Sequence, residues 1–372
     1  MVKYIGSKRV LVPAIQQLAR RLPVQSVCDV FAGTTRVGQG LRRAGLRVHS
    51  NDLASYSEAL GHAYIAADES VDRERLRELL AHLGSLPGEH GYFTETFCVR
   101  SRFFQPHNGM RVDAIRNEIE RLSLWPVERG LLLTSLMEAA DRVDSTCGLQ
   151  MAYVKRWAAR SYNDLELREP KPVAGPAGTV SRLDAADLAA RLDGFDCAYL
   201  DPPYNQHSYF SNYHVWETLI RWDAPEHYGV ACKRVDCRTT KSPYNSKRAA
   251  WQAFSSLIER LPTPWIVVSF NNEGFHDLDQ VAALLSEKGY LRSVAIDFKR
   301  YVGAQIGVFN PSGQRVGEVS HLRNKELLFV VGPDEALVDG AIGYVQHASR
   351  RVGHIHPPGR TDLQCASGDG GN

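Results

Sequence analysis

The sequence has few of the features that mark membrane, secreted or metal-binding proteins. No stretch approaches the length of about 18 uninterrupted apolar residues that a membrane span needs, and the N-terminus has no apolar signal segment. The seven cysteines are scattered, and the closest pair, Cys232 and Cys237, has neither zinc-ribbon nor C-x-x-C spacing. We therefore expect a cytoplasmic protein without a membrane anchor or a metal.

The composition predicts a globular chain without indicating a function. The 372 residues are 44% hydrophobic and 23% charged, which is ordinary for a folded protein, and the length allows one large core and a second lobe. The net charge of +2 conceals two basic segments, 1–47 and 230–248. Such clusters on a nearly neutral chain indicate a polyanion as partner. A solvated basic surface is the alternative.

The most informative segment is the tetrapeptide Asp201-Pro202-Pro203-Tyr204, which follows a predicted buried strand over 195–200. Proline fixes φ and lacks an N–H, so the carbonyls of this turn can point outward as acceptors. The Asp201 carboxylate and the Pro202 carbonyl suit the two hydrogens of a planar exocyclic amine, and Tyr204 can stack on the ring. This pattern indicates a pocket for a flipped adenine or cytosine. A plain proline turn is the alternative.

A strand, turn, helix and strand near the N-terminus indicate a nucleotide-binding unit. Residues 25–30 predict a strand, and Gly33 lies in the following turn, where the backbone can approach a ligand closely. A helix over 36–44 and a strand over 46–50 follow. Asp52 lies about 20 residues past Gly33, the spacing at which a carboxylate binds ribose hydroxyls. The glycine fingerprint is incomplete, so an ordinary βαβ unit is the alternative.

These motifs, in this order, resemble the D12-class (Dam-like, alpha-group) DNA adenine-N6 methyltransferases. The resemblance rests on segments 4–8, 29–33, 51–52 and 201–204. It extends over most of the chain, through segments 111–116, 141–148, 153–157, 212–219, 242–248 and 324–329. The sequence departs from the family pattern at Thr35, where the family usually has a glycine, so the loop around the cofactor is expected to differ slightly.

The resemblance implies an α/β fold with a doubly wound, mostly parallel Rossmann-like methyltransferase sheet and a helical target-recognition insertion. We expect a catalytic domain over 1–65 and 166–348, the insertion over 66–165 and a disordered tail over 349–372. The chain pattern predicts helices over 10–22, 72–83, 115–122 and 128–140. It also predicts strands over 179–184, 265–270, 290–298 and 325–331, the last two forming a closing hairpin.

The resemblance further implies methyl transfer from S-adenosylmethionine to the N6 of a flipped adenine in double-stranded DNA. Three settings stay open: a methylase with a cognate restriction endonuclease as partner, a solitary regulatory methylase and a phage enzyme. Asp52 is expected to bind the cofactor ribose, and Asp184 the amino group of its adenine. Phe31 would contact the cofactor, and Tyr4 and Lys8 would hold its methionine end or its adenine. The expected catalytic residues are Asp201, Pro202, Pro203 and Tyr204, and the expected cofactor-binding residues are Tyr4, Lys8, Asp29, Phe31, Gly33, Asp52, Asp184 and Asp201.

The expected DNA contacts fall into two groups. Basic side chains of the segment 230–248 are expected to bind phosphates, which fix position, and basic side chains of the insertion are expected to read bases or support such readers. The first group is Arg234, Arg238, Lys241, Lys247 and Arg248, and the second is Arg111, Arg116, Arg142 and Lys155.

Three alternatives stay open at this point. An amino-methyltransferase acting on cytosine N4, RNA or a protein glutamine is disfavoured because the related patterns have Ser or Asn where this chain has Asp201. A DNA-binding protein without catalysis is disfavoured by the presence of Asp201, Asp52 and Lys8. A small-molecule dehydrogenase is disfavoured by the incomplete glycine fingerprint and the basic segments.

Overall fold

The computed structural model describes residues 2–6, 8–151, 153, 156–271, 274–299, 308–309, 315–317 and 323–351. Of the residues expected to contact DNA, Lys155 lies outside the described residues, as do residues 352–372 of the expected tail. The strands are β1 (Ser26–Asp29), β2 (Arg47–Asn51), β3 (Thr179–Ser181), β4 (Cys197–Leu200), β5 (His227–Tyr228), β6 (Lys233–Arg234), β7 (Trp265–Asn271), β8 (Tyr290–Lys299), β9 (Val308–Phe309), β10 (Arg315–Gly317) and β11 (Arg323–Gly332).

A seven-stranded sheet with the order β3-β2-β1-β4-β7-β11-β8 forms the centre of the fold. Strand β1 pairs in parallel with β2 and β4, and the parallel pairing continues to β3 on one side and β7 on the other. Strand β11 is antiparallel to both β7 and β8. The prediction of a mostly parallel sheet with a closing hairpin is thereby confirmed. The chain order reverses between β1 and β4, where α/β sheets bind their ligands.

Helices cover the sheet and form the insertion. They are α1 (Val12–Arg21), α2 (Arg36–Arg43), α3 (Ser55–Gly61), α4 (Arg73–Ser85), α5 (Tyr92–Thr94), α6 (Pro106–Arg121), α7 (Pro126–Val143), α8 (Ala185–Ala189), α9 (Tyr209–Asn212), α10 (His214–Arg221), α11 (Ala250–Arg260), α12 (Leu278–Ser286) and α13 (Glu335–Arg351). Short 3₁₀ turns occur at Lys8–Val10, Ala159–Tyr162, Val235–Arg238 and Pro243–Asn245, and π-helical turns at His62–Ala66 and Glu95–Arg100.

The sheet is buried on both faces, so every residue of the central strands β1, β4 and β7 is buried and most of them are apolar. Trp265 and Val267 of β7 pack on one side with α1, α2 and α13, while Ile266 and Val268 pack on the other with α8, α11 and α12. The alternation follows from the two-residue period of a strand. The sheet is therefore a middle layer between two helical layers.

A separate apolar core holds the helices between β2 and β3. Phe93, Phe97 and Phe104 are fully buried there, in a cluster that also contains residues of α3 and α10. Prolines at the first turns of α6 and α7 suit these starts, since a proline at that position sacrifices no helical hydrogen bond. The region predicted to be a helical insertion is thus helical, and it packs against the catalytic part through α3 and α10.

Several predicted boundaries are wrong. Helix α7 ends at Val143 rather than at Ala140, and α13 continues to Arg351, inside the tail predicted to be disordered from 349. Strand β3 ends at Ser181 rather than at Asp184, because the Asp184 carboxylate accepts a hydrogen bond of 2.9 Å from the backbone N–H of Ala186 and caps α8. Helix α6 begins at Pro106, nine residues before the predicted start at Ile115.

Candidate active site

The carboxyl ends of three adjacent strands bring three acidic residues to one edge of the sheet. Asp29 ends β1, Asp52 follows β2 and Asp201 follows β4. Parallel strands end at the same edge, so the three carboxylates lie around one cavity of about 540 Å³. Its wall includes the predicted residues Tyr4, Lys8, Asp29, Phe31, Gly33, Asp52, Asp184, Asp201 and Pro203.

The turn after β1 is held by the carboxylate after β2. Asp52 Oδ2 accepts from the backbone N–H of Gly33 at 2.8 Å, and Oδ1 accepts from that of Ala54 at 3.0 Å. Gly33 has a φ of +52°, and a Cβ added there would lie 3.4 Å from the Tyr4 ring. The glycine therefore gives the turn its left-handed conformation and leaves room beside Tyr4.

Thr35 adopts the conformation that a glycine would adopt more easily. Its φ is +58°, in the left-handed region that non-glycine residues rarely occupy. The side chain is fully buried, and its Oγ1 accepts a hydrogen bond of 3.0 Å from Gln39 Nε2. Thr35 thus occupies a left-handed conformation that glycine, the residue expected at this position, adopts without strain.

Asp29 presents a buried carboxylate that no side chain of the described residues satisfies. Neither oxygen has a hydrogen-bond partner of good geometry there, although the Gly38 backbone lowers the pKa of the carboxyl, and the residue is only 1% exposed on the cavity wall. Burial raises the pKa of Asp29 well above its usual value, and the charges of Asp201 and Asp52 raise it further. Since buried carboxylates are normally paired, this orphaned group fits a ligand with a cationic amine.

The Asp201 carboxylate is paired with Lys8, at the start of the chain. Lys8 Nζ lies 2.9 Å from Asp201 Oδ1 and also forms an ion pair with Glu326 Oε1. Burial raises the pKa of Asp201 to about 6; Lys8 opposes the shift and Glu326 adds to it. Burial alone would lower the pKa of Lys8, but the two carboxylates outweigh burial and raise it well above its usual value.

The rest of the tetrapeptide is fixed by packing. Pro203 lies on the cavity wall, whereas Pro202 is buried. The Tyr204 carbonyl accepts a hydrogen bond of 2.8 Å from the N–H of Phe275. The centroid of the Tyr204 ring lies 5.5 Å from Lys8 Nζ. The tetrapeptide 201–204 is therefore held between the N-terminal residues and the segment after β7.

The predicted aromatic contacts belong to clusters. Tyr4 stacks against Tyr213 with ring centroids 4.4 Å apart and against Tyr209 at 5.4 Å, and its hydroxyl lies 3.2 Å from that of Tyr56. Phe31 meets Tyr244 edge to face at 5.1 Å. The cavity thus has an aromatic wall at each of these two positions.

Sequence reasoning gave no role to Tyr56, Tyr209, Tyr213 or Glu326. The spacing of Tyr209 and Tyr213, four residues apart directly after the tetrapeptide, was an available signal, since such positions share one helix face. For Glu326, the available signal was its place as the single acid of the otherwise apolar run 326–331, because a charged group in a buried strand needs a partner.

Four of the expected phosphate-binding residues are exposed. Arg238, Lys241, Lys247 and Arg248 lie on the surface of one segment beside the cavity. Arg238 stacks over Tyr228 at 4.1 Å, and Lys241 is itself part of the cavity wall. This arrangement leaves a basic surface next to the cavity.

Arg234 and Arg116 are not available to DNA in this structure. The Arg234 side chain is 1% exposed, forms two hydrogen bonds of 2.6 and 2.7 Å with Asp223 and also pairs with Asp236. The Arg116 side chain is 0% exposed, and its Nε donates to the Leu219 carbonyl at 2.7 Å. Both guanidinium groups have structural partners, so we withdraw both residues as DNA contacts.

Arg111 and Arg142, the other two described arginines expected to contact DNA from the insertion, are half-buried. Arg111 donates to the Gly84 carbonyl at 2.6 Å, and Arg142 donates to the Glu166 carbonyl at 2.6 Å. Each holds a helix to a neighbouring segment. Part of each side chain is exposed, so each can support a DNA-facing surface.

Two classes of site were also sought in the described part of the chain. No helix there is long and apolar enough to cross a membrane. Within the same residues, no three histidine, cysteine, aspartate or glutamate side chains are grouped so that they could hold a metal ion.

Comparison with known proteins agrees with this geometry. The model of the family D12 class N6 adenine-specific DNA methyltransferase matches residues 4–266. The chain is 29% identical over 341 residues to the type II methyltransferase M.NlaIII of Neisseria lactamica, which covers 87% of this chain and 99% of that protein. It is 30% identical over 309 residues to the type II methyltransferase M.FokI of Planomicrobium okeanokoites, covering 77% of this chain and 47% of the relative. The modification methylase StsI of Streptococcus sanguinis is 29% identical over 321 residues, which is 81% of this chain and 49% of that protein.

Proposed function

The chain belongs to the D12 class N6 adenine-specific DNA methyltransferases, and we propose that it transfers a methyl group from S-adenosylmethionine to the N6 of an adenine flipped out of duplex DNA. The observation that carries this proposal is the meeting of Asp29, Asp52 and Asp201 around one cavity at the switch point of the sheet. A cavity of about 540 Å³ lies within the range of small-molecule sites.

The proposed cofactor site uses the acids and the aromatic wall. The unsatisfied Asp29 carboxylate would accept from the α-ammonium group, and Asp52 would accept from the ribose hydroxyls while it holds the Gly33 turn. Phe31 would contact the adenine ring, and Asp184 would accept from its amino group. When bound, S-adenosylmethionine supplies a methyl group on a positively charged sulfur, so the chain needs no covalent nucleophile of its own.

The residues of the tetrapeptide would prepare the amine. Asp201 and the Pro202 carbonyl accept its two hydrogens, which draws the nitrogen toward a tetrahedral geometry and releases its lone pair from the ring. Asp201 also stabilises the positive charge that develops on the nitrogen. Lys8 bonds to Oδ1 of Asp201, which leaves Oδ2 to face the amine. Tyr204 stacks on the flipped base, and its fixed position aligns the base for transfer.

DNA would lie against the basic surface beside the cavity. Arg238, Lys241, Lys247 and Arg248 are proposed to bind phosphates, which position the duplex without reading its sequence. The helical region over 66–165 is proposed as the target-recognition domain, with Arg111 and Arg142 supporting its DNA-facing surface.

The names of the relatives suggest a setting. M.NlaIII and M.FokI are named type II methyltransferases, and StsI is named a modification methylase. We propose that this chain likewise protects DNA from a cognate restriction endonuclease. Its proposed location is the cytoplasm, where the DNA of a bacterial cell is found.

The proposal is tested with purified protein, duplex DNA and S-adenosylmethionine with a labelled methyl group. The DNA is digested to nucleosides, which are separated by liquid chromatography. We expect the label in N6-methyldeoxyadenosine. Label in N4-methylcytosine, or no label in DNA while the protein binds the cofactor, contradicts the proposal.

A further inference from the structure

The catalytic carboxylate shares its lysine with a second carboxylate behind it. Lys8 Nζ contacts Asp201 Oδ1 at 2.9 Å and Glu326 Oε1 on its other side. The Asp201 side chain is 17% exposed toward the cavity, whereas that of Glu326 is 2% exposed. Ser269 Oγ donates to the same Glu326 oxygen at 2.6 Å. The ammonium thus lies between an acid that faces the substrate and an acid sealed inside the protein.

We propose that Glu326 is a positioning residue for methyl transfer: it draws the Lys8 ammonium partly away from Asp201, which makes the ionised Asp201 carboxylate a stronger acceptor for the hydrogens of the target amine. This inference rests on the proposed function, in which Asp201 is the acceptor.

The charge balance of the cluster supports this role. One ammonium and one carboxylate, Lys8 and Asp201, would already be neutral together, so Lys8 does not need a second acid to be paired. Adding Glu326 makes the cluster of these three side chains negative by one unit. A carboxylate whose charge is fully matched by an ammonium is a weaker acceptor, because the ammonium occupies its lone pairs and lowers its electron density.

The position of Glu326 in the fold is unusual for a charged side chain. Glu326 lies in β11, opposite Asn271 of β7 and Ile296 of β8, and the residues that follow it are apolar and mostly buried. Burying a carboxylate in such a strand is unfavourable unless it is paired and hydrogen-bonded. Lys8 and Ser269 provide this pairing and this hydrogen bond, and they hold the Glu326 carboxylate on the side of Lys8 away from the cavity.

The titration of Asp201 reports this arrangement. Lys8 lowers the pKa of Asp201 and Glu326 raises it. Removing the charge of Glu326 should therefore lower the pKa of Asp201, and any change that draws Lys8 toward Glu326 should raise it. The titratable groups that face Asp201 from the surrounding elements are Lys8, Glu326, Asp29, Tyr199, Tyr204 and Tyr209.

The experiment compares Glu326→Gln with the wild-type enzyme in single-turnover methylation of duplex DNA across pH, with cofactor binding measured by calorimetry. We expect the plateau rate to fall by roughly tenfold to a hundredfold, as for other groups that orient a catalytic ligand. The acid limb of the profile should move to lower pH by about one unit, while the dissociation constant of S-adenosylmethionine stays unchanged. If the plateau rate falls while the acid limb of the pH profile stays in place, Glu326 has only a structural role and the inference is overturned.

Ser269→Ala keeps the charge and decides the matter if Glu326→Gln fails to fold. Without the serine hydroxyl, Glu326 should attract Lys8 more strongly, so the acid limb should move to higher pH. An unmoved acid limb in this variant also overturns the inference.

Asp113→Asn is the matched control, since Asp113 is a buried carboxylate of the helical insertion that accepts hydrogen bonds from the backbone N–H groups of Gly91, Phe93 and Thr94. The acid limb of the pH–rate profile of Asp113→Asn should stay at the wild-type pH. Failure of the proposed function is distinguishable, because the wild-type enzyme would then form no N6-methyladenine.

Discussion

Lys8 Nζ lies 2.9 Å from Asp201 Oδ1, so residues almost two hundred positions apart form one ion pair at the active site. Neighbouring residues anchor the same N-terminal segment. The Ile5 N–H donates to the Tyr213 hydroxyl at 2.6 Å, and the Lys3 N–H donates to the Asp141 carboxylate at 3.2 Å. The N-terminal segment therefore ties the Asp201 carboxylate to α7.

Replacing Asp201 by alanine should abolish methyl transfer and leave DNA binding largely intact. The variant loses the amine acceptor and the charge opposite the developing cation, a loss of at least about a hundredfold for groups of this kind. Most DNA affinity comes from phosphate contacts elsewhere. Single-turnover rates and a gel-shift titration measure the two quantities. Turnover near that of the wild-type enzyme would remove Asp201 from the mechanism.

The methylation rate should fall as the pH drops through about 6. Burial raises the pKa of Asp201 from its ordinary 3.8 to about 6. Only the ionised carboxylate can accept both an amine hydrogen and the Lys8 ammonium, so activity is present above this pH and is lost below it. Single-turnover rates between pH 4 and pH 9, with cofactor and DNA saturating, give the profile. A rate that stays constant down to the ordinary aspartate pKa would show that Asp201 is not the titrating group.

Asp52→Ala should weaken binding of S-adenosylmethionine far more than binding of DNA. The variant loses the proposed ribose contact and also the bond of 2.8 Å that holds the Gly33 N–H. Losing a charged acceptor costs on the order of 1.5–3 kcal/mol. Calorimetry with the cofactor and Michaelis constants for both substrates test this outcome. Unchanged cofactor affinity would refute the assignment of Asp52.

Arg116→Ala should destabilise the fold without changing the sequence preference for DNA. The buried guanidinium donates to the carbonyls of Leu219 and Ile220 at 2.7 and 3.2 Å, and its loss leaves these acceptors unpaired at a cost of about 1–3 kcal/mol. Denaturant unfolding measures the loss. The exposed Arg248 provides the matched control: Arg248→Ala should keep the stability and weaken binding to all DNA sequences alike, lowering the salt slope by about one unit. A changed base preference in Arg116→Ala would show that Arg116 takes part in reading the DNA bases.

The local patterns predicted the sheet and the edge that carries the site. Strand β4 and the first four residues of β7 are apolar runs, and the acids Asp29, Asp52 and Asp201 lie at or just after the carboxyl ends of parallel strands, so their meeting follows from parallel pairing. The position of β11 between β7 and β8 does not follow in the same way. The hairpin was predicted, but which of its strands pairs with β7 depends on contacts across the whole sheet.

The missed features depend on tertiary contacts. The start of α6 was misplaced because Asn108 and Gly109 favour turns over helices. In the structure a Cβ on Gly109 would lie 2.3 Å from Cys98 Sγ, so close packing requires the glycine inside the helix. The role of Glu326 was missed because its partner Lys8 is 318 residues away. Arg116 and Arg234 were taken for DNA contacts because a sequence does not distinguish a buried arginine from an exposed one.

The most direct test of the account is single-molecule sequencing of DNA from cells that express the protein, scored for modified adenines. We expect N6-methyladenine confined to a discrete sequence motif, and its absence from cells that express Asp201→Ala. Modified adenines spread without a motif would contradict the proposed target-recognition role of residues 66–165. A complete absence of modified adenine in cells with the wild-type protein would contradict the central claim.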